Sequence, residues 1–239
     1  MKSKIIFGLW ATVLVFASCE NDSIRASGEV TTREFTFSGY TTVKVGGAFE
    51  VFVQFSETEE SVRIEANDNL QDRLVVRLEG TTLRIQPEDN LQIKGNATLR
   101  AFITTNTLSN FETSGATTVT LEDIWVIDNG SIRMSGASNF TGELIANQLE
   151  LRTSGASDAD IFGAVEELKA NLSGSSDLKD FDLQVQRLDI DLSGSSDAFL
   201  FVNRSIEIDA SGSSRLNYRG NPEILRQNLS GSSELRRRD

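Results

Sequence analysis

Asp158, Asp177 and Asp197 occupy one position of a repeated phrase, four residues after the serine of "SGASD", "SGSSD" and "SGSSD". Carboxylates repeated at a fixed interval invite two kinds of chemistry. Stacked side by side they could ligate Ca²⁺, a hard cation that takes about six to eight oxygens. Paired across a sugar, as Asp177 with Asp197 or Asp189 with Asp191, they could act as the acid and base of glycoside cleavage. The remaining repertoire is narrow. The 239 residues include no histidine and one cysteine, which removes the commonest general acid–base near neutrality and the usual zinc, copper and iron ligands. The G-G-x-G-x-D spacing of calcium-binding β-rolls is absent, and Asp and Asn are ordinary turn residues that bond their own backbone. Turn chemistry is therefore the reading for Asp158, Asp177 and Asp197, and no cofactor or metal is expected, with Ca²⁺ the one candidate.

The phrase that carries these aspartates sets the architecture. Ser-Gly followed by two small residues recurs with its glycine at Gly115, Gly136, Gly155, Gly174, Gly194, Gly212 and Gly231, at separations of 21, 19, 19, 20, 18 and 19. A period near twenty marks a repeat architecture. Before each pair the chain alternates, as in "LELRTSG", "LKANLSG", "LDIDLSG" and "IEIDASG", which is the pattern of a half-buried strand. Glu150, Arg152, Lys169, Asn171, Asp189, Asp191, Glu207 and Asp209 then form the wet face. One coil of a right-handed parallel β-helix accommodates about 19–20 residues, and glycine suits a sharp corner that demands positive φ. The small neighbours let equivalent corners stack. Phe162, Phe181 and Phe201, each eight residues after a serine, predict an aromatic ladder inside the coil.

Residues 31–110 lack the Ser-Gly word but alternate, as in "FEVFVQF", which places Phe49, Val51, Val53 and Phe55 on one face. They read as a less regular β portion that caps the repeat coils of 111–235, giving one domain over 31–239. "NDNLQDRL" predicts a short helical turn, "SETEES" at Ser56–Ser61 a solvated loop, and "DNGS" at Asp128–Ser131 a tight turn that explains the 21-residue spacing. An open last coil offers strand edges through which a second molecule could pair.

The N-terminus reads as an address. "MKSK" is a positive start, and "IIFGLWATVLVFAS" is an apolar stretch too short to span a membrane. Cys19 follows, and "VFASC" resembles a bacterial lipoprotein signal, which implies removal of residues 1–18 and acylation of Cys19. Residues 19–30 then form a polar tether. Its acidic start resembles surface-export signals of Bacteroidetes lipoproteins, and "DSI" at Asp22–Ile24 resembles O-glycosylation sites of that phylum. Cleavage takes away Lys2 and Lys4 and leaves a net charge of −14. That balance argues against nucleic acid and suits a body held by lipid rather than lying on anionic headgroups.

"YTTVKVGGAFEVFVQFSETEESVRIEANDNLQDRLVVRLEGTTLRI", followed by serial "SGAS" and "SGSSD", resembles the head GIN domain family of auto-transporter adhesins, over roughly Phe37 to Tyr218. The resemblance implies a secreted or lipid-anchored β-helical protein and supplies no catalytic residues. Together these features predict a non-enzymatic envelope lipoprotein, at the periplasmic face or cell surface of the outer membrane. Its solenoid would act as an adhesin-like or scaffold module toward a glycan or envelope protein. The competing reading is a carboxylate-dependent polysaccharide lyase or hydrolase. Against it, outward acids on a repeated strand usually form only its wet face, and the net charge repels acidic polysaccharides.

Overall fold

The structure, a computed structural model, describes residues 22–179 and 181–239; the signal segment and Cys19 lie outside them. About 64% of the described residues are strand and 3% helix, and the strands wind into a β-solenoid of about seven turns. Equivalent residues of successive coils pair in parallel, so like sits over like. On the face preceding the corner, Val43, Phe111, Ile132, Leu151, Ala170, Ile190 and Ile208 form one column, and each is at most 1% exposed. The face after the corner has its own column, running from Ala101 through Val51, Val119, Phe140, Ala159, Leu178 and Ala198 to Leu216. A third face closes the section, with Trp125 over Leu144 and Val165 over Val185. Alternation thus becomes two environments: odd positions of the word "LKANL" enter the core and even positions meet water.

The Ser-Gly words are the corners. All seven glycines have φ between +69° and +83°, a region other L-residues adopt only with strain. A Cβ on Gly174 would also collide with the Gly155 carbonyl oxygen, which accepts the Ser175 N–H at 2.8 Å. The fourth residue of the word turns inward. Ser157, Ser176, Ser196 and Ser214 are wholly buried, and each donates its hydroxyl to the carbonyl of the word's first serine, at 3.0, 3.0, 3.0 and 2.8 Å. The corner therefore satisfies its own polar atoms while bonding to the corner below.

The base of the stack does not follow chain order. The strands Thr42–Val45 and Glu50–Phe55, joined through Gly46–Gly47, form a coil beneath 110–121. The strands Thr82–Pro87 and Leu99–Thr105 lie beneath that coil. Antiparallel strands then end the sheets: Leu74–Glu79 on one, Ser61–Asn67 and Val30–Phe35 on the other. The 3₁₀ segment Asp68–Arg73 lies where "NDNLQDRL" predicts a helical turn and buries Leu70. "SETEES" leads from one strand to the next, as expected. Trp125, Phe111 and Phe140 fill the lower coils edge to face, with centroids 5.0 and 5.2 Å apart.

Several expectations are corrected. Asp128–Ser131 lies within the strand Trp125–Met134 rather than in a turn. The two extra residues of the 21-residue coil fall at 122–124, because Thr118 pairs with a residue 21 positions on and Trp125 with one 19 positions on. The phenylalanines form no internal ladder. Phe162 is 38% exposed and pairs with Glu143, while Phe201 pairs with Gln184. Coils of unequal length send one sequence offset to different columns. The segment read as a tether is folded from Ser23: the strand Ser23–Arg25 lies parallel to Gln92–Lys94, and Ile24 and Ala26 pack against the core.

Candidate binding surface

The corner holds each predicted carboxylate on the wet face, because the next residue, Ala159, Leu178 or Ala198, enters the core. Asp158 pairs with Asp177 and Asp177 with Asp197, so the predicted ladder is assembled. Its ends are neutralised: Lys179 Nζ lies 2.6 Å from Asp158, and Arg215 lies 3.4 Å from Asp197. The Asp197 N–H donates to Asp177 Oδ1 at 3.3 Å. Partial burial raises the Asp177 pKa, and the charges of Asp158 and Asp197 raise it further against the pull of Lys179 and that N–H. The Asp158 hydrogen bond raises the Lys179 pKa in turn. The ladder offers one carboxylate per coil, and among the described residues no three acidic, histidine or cysteine groups converge to hold a metal ion.

Asp189 and Asp191 face water from the strand Leu183–Leu192, but Arg226, two coils above, reaches down to Asp189. Arg226 lies 3.1 Å from Asp189 and 3.1 Å from Glu207, and pairs with Asp209 as well. Asp191 accepts a long bond from Asn171 at 3.5 Å. Glycoside cleavage needs a protonated acid facing a second carboxylate across the sugar. Asp189 faces the Arg226 guanidinium instead of such a partner.

The larger feature is a groove that sequence reasoning missed. Each corner projects beyond the face before it, and an open trough runs along that step. Its lower part, about 420 Å³, is lined by Lys44, Glu112, Arg133, Arg152 and the corner serines Ser135 and Ser154. Its upper part, about 550 Å³, begins at the shared Asn171 and is lined by Asp191, Asp209, Asn228 and the corner serines Ser193 and Ser211. The column from Lys44 to Asn228 takes seven coil steps, about 34 Å at ~4.8 Å each. Charge changes along it: Lys44, Arg133 and Arg152 at the base, where Glu112 pairs with Lys44 and Glu150 with both arginines, give way to Asp191 and Asp209 near the top, where Arg226 pairs with Asp209. The first serine of four corners donates its hydroxyl to the coil below: Ser135 to Thr113 O at 3.1 Å, Ser154 to Met134 O at 3.4 Å, Ser173 to Thr153 O at 3.2 Å and Ser230 to Ala210 O at 3.4 Å. Each of these oxygens keeps acceptor capacity. The signal was present in the sequence, since Arg152, Asn171, Asp191 and Asp209 are the wet-face residues two before each corner serine.

Two other surfaces stand out. At the base, Phe52 and Phe102 stack at 5.2 Å, with the Arg63 guanidinium 3.9 Å from the Phe102 centroid. Glu34, Glu59, Glu60 and Glu122 rim the adjoining cleft. On the third face Ile124, Val126 and Ile145 are 44%, 68% and 47% exposed, with Val126 beside Ile145 on adjacent coils.

Comparison with solved structures finds this solenoid elsewhere. A protein of Bacteroides fragilis described as a putative adhesin aligns with TM-score 0.81 at 20% identity, over 90% of this chain and 98% of that one. One from Parabacteroides distasonis, described as a putative lipid-binding protein, aligns with TM-score 0.74 at 20% identity, over 91% and 100%. A third, a putative adhesin of Parabacteroides merdae, aligns with TM-score 0.72 at 15% identity, over 91% and 100%. No curated protein matches the chain. Residues 39–222 match the family described as "Putative auto-transporter adhesin, head GIN domain", whose description points to an adhesin-like, non-enzymatic role at the cell envelope or surface. With this match spanning most of its length, from the Gly39 turn through six of the seven Ser-Gly corners, the chain belongs to the head GIN domain family of auto-transporter adhesins.

Proposed function

We propose that this protein is an exported lipoprotein, anchored to the outer membrane through Cys19, whose solenoid binds an extended glycan without cleaving it. The observation that carries this reading is the trough from Lys44 to Asn228, where one polar or charged side chain recurs at every coil and a corner hydroxyl joins it from Ser114 upward. Successive sugars of an extended chain are spaced close to the ~4.8 Å coil rise, so each could meet an equivalent set of donors and acceptors. Hydrogen bonds donated by Asn and Arg to sugar hydroxyls, and accepted by Asp and Asn from them, repeated along a rigid groove, give affinity by many modest contacts with little ordering cost. The separation of basic base from acidic top favours a neutral or mixed-charge polymer over a polyanion. Pairing of Asp189 with Arg226 supports binding over hydrolysis.

The test is a glycan array probed with the full lipidated chain in detergent, repeated with Arg152→Ala, Asn171→Ala and Asp191→Ala combined. These side chains are solvent-facing, so the thermal midpoint should hold. Binding to polymers selected by the native protein should weaken at least ~10-fold, about 1.4 kcal/mol. Equal binding by the triple variant, or product release from a bound polymer, would refute the reading.

A further inference from the structure

The lipid-anchor reading of Cys19, on which this inference rests, acquires a geometry from the first strand. Folded structure begins beside the acylation site: Ser23–Arg25 is already strand, paired with Gln92–Lys94. Three residues lie between Cys19 and Ser23, and the four steps of a fully extended chain cover at most about 14 Å. The strand is fixed to the capped end. Arg73, which ends the 3₁₀ segment, pairs with Asp22 at 2.5 Å. Asn69 donates to Arg25 O at 2.8 Å and accepts from Ser27 N at 2.9 Å. The strand partner Gln92–Lys94 belongs to the lowest parallel coil, between Thr82–Pro87 and Leu99–Thr105.

We propose that the capped end is the membrane-facing surface, and that the solenoid stands on the bilayer with its Ser-Gly coils projecting away. The last corner is seven coil steps above the Gly46–Gly47 corner, about 34 Å, well beyond the reach of so short a leash unless the body lies on its side. Two flanks argue against lying down: one carries the ladder Asp158, Asp177 and Asp197 and the other the acids around Arg226, which anionic headgroups repel; a body lying on the third, with exposed Ile124, Val126 and Ile145, would hold every corner at one height. Near the exit of the leash Arg25 and Lys94 are exposed without an acidic partner among the described residues, while the exposed Asp22 and Asp72 are paired by Arg73 and Arg33. The edge strands closing the two sheets add Val30 and Leu78, 46% and 37% exposed. In this pose the trough rises away from the membrane, and its acidic top is the part farthest out.

The corners themselves supply a ruler, since Ala48, Ala137, Ser175, Ser213 and Ser232 occupy one exposed edge of successive levels. Each is replaced in turn by cysteine in the full lipidated chain, labelled with a donor dye and reconstituted into vesicles containing an acceptor lipid. Cys19 is unavailable to the dye when acylated. Energy transfer should fall steadily from Ala48→Cys to Ser232→Cys, several-fold over the series. Equal transfer at all positions would mean a body lying flat, and a rising series an inverted one; either overturns the proposal. An intact-mass measurement separates the two claims: a chain with no acyl group, or with dye on Cys19, overturns the anchor reading itself.

Discussion

Replacing Gly174 by alanine tests the stacked corner more sharply than any other single change. Two costs are expected there. Gly174 has φ +82°, which a Cβ makes unfavourable by about 1–2 kcal/mol. The added carbon also meets the Gly155 carbonyl oxygen inside van der Waals contact, and that oxygen accepts the Ser175 N–H at 2.8 Å. Relieving the clash means lifting one coil from the next and weakening that bond, worth about 1 kcal/mol or more with the desolvation of its partners. Gly80 isolates the first cost: its φ is +60°, but nothing lies within 4 Å of its would-be Cβ. Gly80→Ala should therefore lose about 1–2 kcal/mol and Gly174→Ala about 3–5 kcal/mol. At about 2–4 °C per kcal/mol for a domain of this size, the midpoints should drop by roughly 2–8 °C and 6–20 °C. Differential scanning calorimetry of both variants beside the native protein gives the comparison. Equal drops would mean that backbone strain alone explains the recurring glycine of the word, and the argument from stacking would fail.

Two further outcomes follow from titration. The raised pKa of Asp177 means its charged form is disfavoured in the fold, so its contribution is best below about pH 3.8 and is lost as pH rises through the folded value. Asp177→Asn should therefore raise the midpoint at pH 7, by an amount in the exposed-pair range of about 0.2–1 kcal/mol, and leave it unchanged near pH 3; a drop at pH 7 would contradict this. Burial pushes the Tyr40 phenol from 10.0 up to about 12, with Glu60 adding to the effect and the Thr105 hydroxyl opposing it. Native Tyr40 then holds its proton longer than the unfolded chain does, so stability is full below pH 10 and falls toward pH 12 by about 1–2 kcal/mol after solvent screening. Denaturant unfolding of the native protein and of Tyr40→Phe across that range should show the slope only in the former.

How much of this was visible before any coordinates depends on the residue. The corners were legible because a recurring glycine at positive φ has few substitutes, and because small neighbours are what close stacking requires. The carboxylate ladder followed, since it sits one residue beyond the corner, where register is tightest. Phe162, Phe181 and Phe201 misled because a count from the corner accumulates every difference in coil length: Gly163 pairs 20 residues on and Gln184 only 17. The Gly46–Gly47 corner is hidden in the sequence because it has no serine and because its coil lies out of chain order. The trough was invisible for a different reason. Its residues were correctly assigned to water, but the step that makes a groove of them arises only when corners project in three dimensions.

The inverted order at the base has a consequence for how the molecule comes into being. Residues 42–55 rest on 82–105, so a chain emerging N-terminus first has no foundation to offer until Thr105 has appeared. That first event is slow, because it closes long loops before any contact rewards them. From then on every stretch of about nineteen residues adds itself to a finished edge, like courses of brick on a footing already set.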